Sequence, residues 1–330
     1  MVGISRRMLR SAVLAVAASA AAALATPAAV QAKDPIPPGN ITFICAFPAG
    51  SGADVLVRYF AEKVGPVSGR TIIVENKAGA LGNIAATYTA RAKPDGRTIF
   101  VHAGSTTAAN MSLFKNPPVD VIKELRIAAT INRQPFMLAV RKDAPYNNVA
   151  ELTAYLKKKG AKATYASTAT PGKVMGEAYK QLAGVEAVEV NYKTGPDSLN
   201  DMMSGAVDYG MHDPVFALSQ MREGRFRILG ISTGERLKAT PDLPTMKEQG
   251  VNMDQTIWWA AMVPAATPDP IVNTINEWFG KVLATPDAVK FLASFGGDVY
   301  INTPAAGQKL FVKAAEDWKE YVRIAKIPLN

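Results

Sequence analysis

Three short stretches of this chain combine small residues, hydroxyls and a helix start in a way that suits anion binding. They are Phe47-Pro48-Ala49-Gly50-Ser51-Gly52-Ala53-Asp54, Thr168-Ala169-Thr170-Pro171 and Thr194-Gly195-Pro196. In the first, glycine lets the backbone approach a ligand closely, and Ser51 and Asp54 have the spacing of a capping box. In the second, Thr170 can cap a helix whose first turn holds Pro171, where no N–H partner is needed. Helix N-termini carry unpaired N–H groups and a partial positive charge, so several of them facing one cleft would hold a carboxylate with backbone alone. Each stretch also has a plain reading as a helix cap and nothing more. Asp54 illustrates this, because its own charge would repel an anion while its position suits the cap.

Other chemistries find little support. The chain has two histidines, His102 and His212, and one cysteine, Cys45, too few for a histidine- or thiolate-based metal cluster. Ser51 and Ser105 do not lie in a G-x-S-x-G turn. Gly50-Ser51-Gly52 begins like a dinucleotide loop but has Val55 at its sixth position, and Gly172-Lys173 lacks the spaced glycine and following hydroxyl of a phosphate loop. Neither an enzyme nor a cofactor is therefore expected. His212 is open to two readings, a hydrogen-bonding pocket residue or a structural one. Cys45 falls inside an apolar strand and reads as a buried, inert thiol.

These turns need elements to position them. Residues 1–32 stand apart: Arg6, Arg7 and Arg10 precede an apolar, Ala-rich run that ends in Val30-Gln31-Ala32, the pattern of an export signal cleaved after Ala32. Ser5-Arg6-Arg7 leaves general and twin-arginine export both open. Removal of that segment lowers the formal charge from +9 to +6 over residues 33–330. Lys and Arg are scattered among Asp and Glu, without the basic runs of a nucleic-acid groove. Beyond the signal, β-rich runs near 41–47, 71–74, 98–102, 137–140, 163–166, 188–192, 207–211 and 228–232 alternate with helical patterns, which predicts an α/β fold with mostly parallel sheets. Residues 241–270 are rich in proline and read as extended crossing chain, followed by amphipathic helices near 270–283 and 304–325. The economical organisation is two lobes: residues 33–137 with 258–330, and residues 138–257.

The residues that surround these turns carry a resemblance. Phe47-Pro48-Ala49-Gly50 with Asp54 and Arg58, Val74-Glu75-Asn76-Lys77-Ala78-Gly79-Ala80 with Gly82-Asn83-Ile84, and Pro94-Asp95-Gly96 come first. Thr170-Pro171 with Gly176-Glu177, Tyr192-Lys193, Gly205 with Val207-Asp208, and Leu243-Pro244-Thr245 with Glu248 and Gly250 follow in order. Together they resemble the receptors of tripartite tricarboxylate transporters, the TctC-like or Bug family. The resemblance implies a two-lobed, flytrap-like periplasmic-binding fold of type II form, a small organic carboxylate as ligand, integral membrane transporter subunits as partners, and a monomer. It places Phe47, Ala49, Gly50, Ser51 and Asp54 on one side of the ligand, and Ser167, Thr168, Ala169, Thr170 and Thr194 on the other, largely through main-chain amides. Ser105 and Thr106, which follow a strand of the first lobe, are expected to face the same cleft.

Departures from the family bear on the ligand. Ser51 replaces a usual second glycine, Leu81 another glycine, Lys173 a common histidine and Asn191 a usual proline. Lys173 reads either as a cation for a distal carboxylate or as a solvated surface lysine. His212 and Asp213 are expected to enter the cleft from the second lobe. A receptor of the same shape that signals to a sensor kinase is the alternative, since fold does not separate the partners.

Overall fold

The computed structural model describes residues 34–168 and 170–327; the expected export signal and Ala169 lie outside them. The described chain forms two mixed sheets flanked by helices, the two-lobed α/β architecture expected from the sequence. In chain order the first part comprises β1 (Ile41–Cys45), α1 (Gly52–Ser68), β2 (Ile72–Asn76), α2 (Asn83–Ala90), β3 (Thr98–Ala103), α3 (Gly104–Leu113), α4 (Val121–Glu124) and β4 (Leu125–Gln134). The chain then enters a second sheet as β5 (Met137–Arg141), α5 (Val149–Lys159), β6 (Thr164–Ser167), α6 (Thr170–Ala183), β7 (Val188–Asn191), α7 (Gly195–Ser204), β8 (Tyr209–His212), α8 (Pro214–Arg222) and β9 (Phe226–Ile231). It returns through β10 (Ile257–Pro264) to α9 (Asp269–Leu283), α10 (Pro286–Ser294), β11 (Asp298–Val299) and α11 (Pro304–Ala325).

Sheet order is β11-β4-β10-β3-β1-β2 in the first lobe and β7-β6-β8-β5-β9 in the second. The pairings fix the directions. β2 and β3 run parallel to β1, while β10 is antiparallel to both β3 and β4, so β1 to β4 share one direction. β7 and β8 run parallel to β6, while β5 is antiparallel to β8 and β9, so β6 to β9 share another. The strand that arrives from the other lobe, β10 or β5, is in each case inserted against the grain.

This topology decides where a site can be. β4 ends at the border that β5 leaves, so the carboxyl ends of β1 to β4 face that border. The carboxyl ends of β6 to β9 return to it from the other side. Loops at these edges are where open α/β sheets bind ligands. The two crossings are stitched together by Ser232, which is fully buried. Its hydroxyl accepts from the Phe136 amide at 2.9 Å and donates to the Gln255 carbonyl at 2.7 Å.

Residues 257–264, which fall within the segment read as crossing chain, form β10, a strand with every residue buried in the middle of the first sheet. An apolar run without polar alternation suits a strand covered on both faces. α11 starts as the sequence suggests, with Thr303 accepting from the Ala306 amide and Pro304 in its first turn. Its Phe311, Ala314, Trp318, Val322 and Ala325 are buried, a helical spacing that forms one apolar face. That face packs on α3 and β4 and also reaches α6 of the second lobe.

Candidate functional site

The first half of the site is the turn from β1 into α1. Gly50 has φ +81°, a left-handed conformation that favours glycine, and its amide donates to Asp54 Oδ2 at 2.9 Å. Asp54 is only 2% exposed; it also accepts from Arg58 Nε at 2.8 Å and from Asn76 Nδ2 at 2.7 Å. Burial alone would push this carboxyl up, but the hydrogen bonds from Arg58, Asn76 and Gly50 outweigh it and hold the pKa below the ordinary value. Asp54 therefore braces the loop from beneath. The Ser51 hydroxyl donates to the Pro48 carbonyl at 2.8 Å and accepts from the Asp54 amide at 3.2 Å, so it serves as the cap. The first intrahelical bond runs from the Val55 amide to the Ser51 carbonyl, which leaves the Gly52 and Ala53 amides without an intrahelical acceptor.

Phe47 and Ala49 are exposed on this turn. The Phe47 carbonyl accepts from Asn76 Nδ2 at 2.9 Å, and its ring lies 5.3 Å from that of His102. His102 is buried among Phe47, Phe100 and Trp259, and burial lowers its pKa to about 4. Ser105 and Thr106 open α3 at the same edge, but their hydroxyls are engaged. Ser105 Oγ accepts from the Trp258 amide at 3.2 Å, and Thr106 Oγ1 donates to the Ala103 carbonyl at 3.1 Å.

The second half is the turn from β6 into α6. Ser167 closes β6 and is sealed from solvent, Thr168 is half-buried, and Thr170 opens α6. A Cβ on Gly172 would meet the Met211 carbonyl oxygen at 2.7 Å and the Phe136 ring at 3.3 Å, so glycine is what lets α6 begin against β8 and the crossing strand. Lys173 is paired with Glu189 at 2.8 Å, and Ser167 Oγ donates to Glu189 Oε1 at 2.6 Å. Thr194 caps α7, with its amide and hydroxyl both donating to Asp197 Oδ2, at 3.0 and 2.8 Å.

His212 does not line the cleft. Its ring is fully buried between Phe216 and Phe226, with Nε2 3.0 Å from Met202 Sδ, and desolvation lowers its pKa to about 3. All four residues of β8 are buried, and His212, the last of them, packs into the core of the second lobe. Asp213 follows it, caps α8 by accepting from the Phe216 amide at 3.1 Å, and is partly solvent-accessible. Burial raises its pKa, against the pull of the Phe216 and Val215 amides. No local pattern in the sequence marks Glu189, which shares a strand face with Asn191 beside the end of β6.

The two edges meet. A Cβ on Gly52 in the first turn of α1 would lie 4.0 Å from Val215 Cγ1 in the first turn of α8. Gly296 of the first lobe likewise faces Pro214 and Leu218 of the second, and a Cβ there would lie 3.0 and 2.8 Å from them. Two grooves lie elsewhere: one of about 910 Å³ along α2, lined by Tyr88 and Arg91, and one of about 880 Å³ between α9 and α11. Neither includes residues of the three turns. Among the described residues no helix is long and apolar enough to cross a membrane, and no group of acidic, histidine or cysteine side chains could hold a metal ion.

Two lobes whose helix starts oppose each other across paired crossing strands define a solute-binding receptor fold. Residues 56–327 match the model of the tripartite tricarboxylate transporter family receptors, and the chain belongs to that family. A UPF0065 protein of Bordetella bronchiseptica is 30% identical over 301 residues, covering 90% of this chain and 86% of its own. A Rhodopseudomonas palustris protein solved with adipate superposes with a TM-score of 0.79 at 26% identity, covering 89% of this chain and 99% of its own. MatC from Rhodopseudomonas palustris, solved with bound malate, gives 0.75 at 26% identity, covering 87% and 100%.

Proposed function

We propose that this protein is an exported, monomeric periplasmic receptor that closes its two lobes, residues 33–137 with 258–330 and residues 138–257, around a small organic carboxylate and delivers it to a membrane transporter. The observation that carries the reading is the opposition of helix starts from different lobes, with Gly52 of α1 set against Val215 of α8. Amides at such positions attract negative charge without a lysine or arginine. The adipate and malate bound to two relatives support an acid as ligand. In this reading Phe47, Ala49, Gly50 and Ser51 form the first wall over the Asp54 brace, and the turn from Ser167 to Thr170 closes from the other lobe. Ligand binding energy then shifts the population toward the closed form. Residues 1–32 serve as the cleaved export signal.

The direct test is calorimetry of the purified protein against a broad panel of organic acids, with a thermal-shift screen beside it. One or more acids should bind and raise the melting temperature. Thr170→Trp should weaken that binding by well over tenfold with an unchanged melting temperature of the free protein. Unaltered affinity would remove Thr170 from the site, and no heat with any acid would remove the carboxylate.

A further inference from the structure

The carboxyl end of β6 and the first turn of α6 carry a cluster that the amide-based reading leaves without a role. Ser167, Lys173, Glu189 and Asn191 come from three neighbouring elements and converge on one carboxylate. Glu189 receives the Ser167 hydroxyl at 2.6 Å on Oε1 and the Lys173 ammonium at 2.8 Å on Oε2, while Asn191 Nδ2 lies 3.4 Å from both Glu189 Oε1 and Ser167 Oγ. The Glu189 side chain is 19% exposed and that of Lys173 35%. The pair thus sits at the border between protein and solvent, where screening is weaker than for a fully exposed pair. Burial pushes the Glu189 carboxyl up, but the bonds from Lys173, Ser167 and Asn191 bring it below its ordinary value, so it is ionised at neutral pH.

An ionised glutamate beside a helix start that is meant to receive anions needs an explanation. Alone it would repel them; paired, it cancels the charge of Lys173. The other acids at this edge are committed to their own helices, Asp197 to the Thr194 cap and Asp213 to the start of α8. We propose that Glu189 is a specificity-determining residue that sets how much negative charge the cleft accepts. By holding Lys173 it keeps the second lobe's side neutral, so that acids with an uncharged far end are preferred over those with a second carboxylate. This inference rests on the carboxylate reading above and narrows its ligand class.

The experiment compares straight-chain acids of equal length with one and two carboxylates, butanoate against succinate, pentanoate against glutarate and hexanoate against adipate. Calorimetric affinities are measured for the wild type, Glu189→Gln and Lys173→Met. The wild type should prefer the monoacid of at least one pair. Glu189→Gln leaves Lys173 uncompensated and should raise diacid affinity about tenfold relative to the monoacid, the scale of one unscreened charge contact in a medium between protein and water. Lys173→Met should lower it by a similar factor. Because the first variant gains affinity, misfolding cannot imitate the result. A diacid-to-monoacid ratio that stays within twofold of wild type in Glu189→Gln, or a wild type that prefers the diacid throughout, overturns the role of Glu189 while binding itself stands. Absence of binding by every acid to the wild type overturns the carboxylate reading and this inference together.

Discussion

The start of α1 after β1 and the start of α6 after β6 both lie at the carboxyl ends of parallel strands, but they are held by different physics. The first is fixed from beneath by a buried carboxylate, Asp54, which gathers the Gly50 amide, Arg58 and Asn76. The second is fixed by steric fit, since Gly172 lies on the Met211 carbonyl with no room for a Cβ, and by the border ion pair of Lys173 and Glu189. A network around one ion is directional and depends on pH. Close packing is neither. The first helix start is therefore preorganised by one residue, while the second rests on backbone contact and a charge pair at the surface; in the proposed receptor the first would be the landing point for the ligand.

The largest expected effect comes from removing the brace. Asp54→Ala takes away three hydrogen bonds from a buried acceptor, and allowing for the half-exposed Arg58 the loss of stability is about 3 kcal/mol in urea denaturation. Ligand affinity should fall more than tenfold, because the Gly50 turn loses its anchor. If affinity survives that loss of stability, the first turn is not the landing point. Acid should then separate the lobes' ionisable groups by window. His102 and His212, one in each lobe, are depressed to about 4 and about 3, so each contributes stability that is full above the unfolded value near 6.5 and is lost as pH falls toward the folded one. For His102 the loss is about 3 kcal/mol. Asp54, also depressed, adds its loss only below about pH 4, where unfolded carboxyls begin to protonate. His102→Gln should roughly halve the slope of the stability profile between pH 6.5 and 4, with His212 keeping its own share, and leave the lower arm in place.

Much of this arrangement was legible in the sequence because local signals and tertiary structure agree. Ser51, Thr194 and Thr303 cap the helices their spacing predicts, and the alternation of β-rich and helical runs gives two α/β lobes. What escaped was decided by contacts between distant residues. β4 and β10 pair with each other across more than a hundred residues, and the Pro-rich surroundings of β10 mask an apolar run that only its position in mid-sheet explains. His212 and Asp213 are adjacent in sequence, but His212 ends β8 inside the core while Asp213 leaves the strand to cap α8 at the edge. Lys173 could be read from sequence either as a cation for a distal carboxylate or as a solvated surface lysine. Its partner Glu189 follows it by 16 positions on a different element, which no local pattern reveals.

Steric fit in the second turn predicts an asymmetry between two glycines that each lie in the first turn of a helix. Gly172→Ala should cost about 2 kcal/mol, because the atom it meets is a backbone carbonyl that cannot move aside. Gly52→Ala meets only Val215 at 4.0 Å, an ordinary contact, and should change stability by less than about 0.5 kcal/mol. Equal effects in thermal melts would mean that the two helix starts are held alike, contrary to the comparison.

The smallest effect sharpens the role of Ser51, which stands where the family usually has a second glycine. Its hydroxyl already bonds the Pro48 carbonyl and the Asp54 amide, so little hydrogen-bonding capacity remains for a ligand. Glycine is itself a fair N-cap, and Ser51→Gly should reduce stability by only a few tenths of a kcal/mol. With the Gly50 turn still pinned by Asp54, affinity for any bound acid should shift less than threefold. A drop of tenfold or more in calorimetry, at unchanged stability, would show the hydroxyl leaving its cap to meet the ligand, and would make the first turn a side-chain site as well as a backbone one.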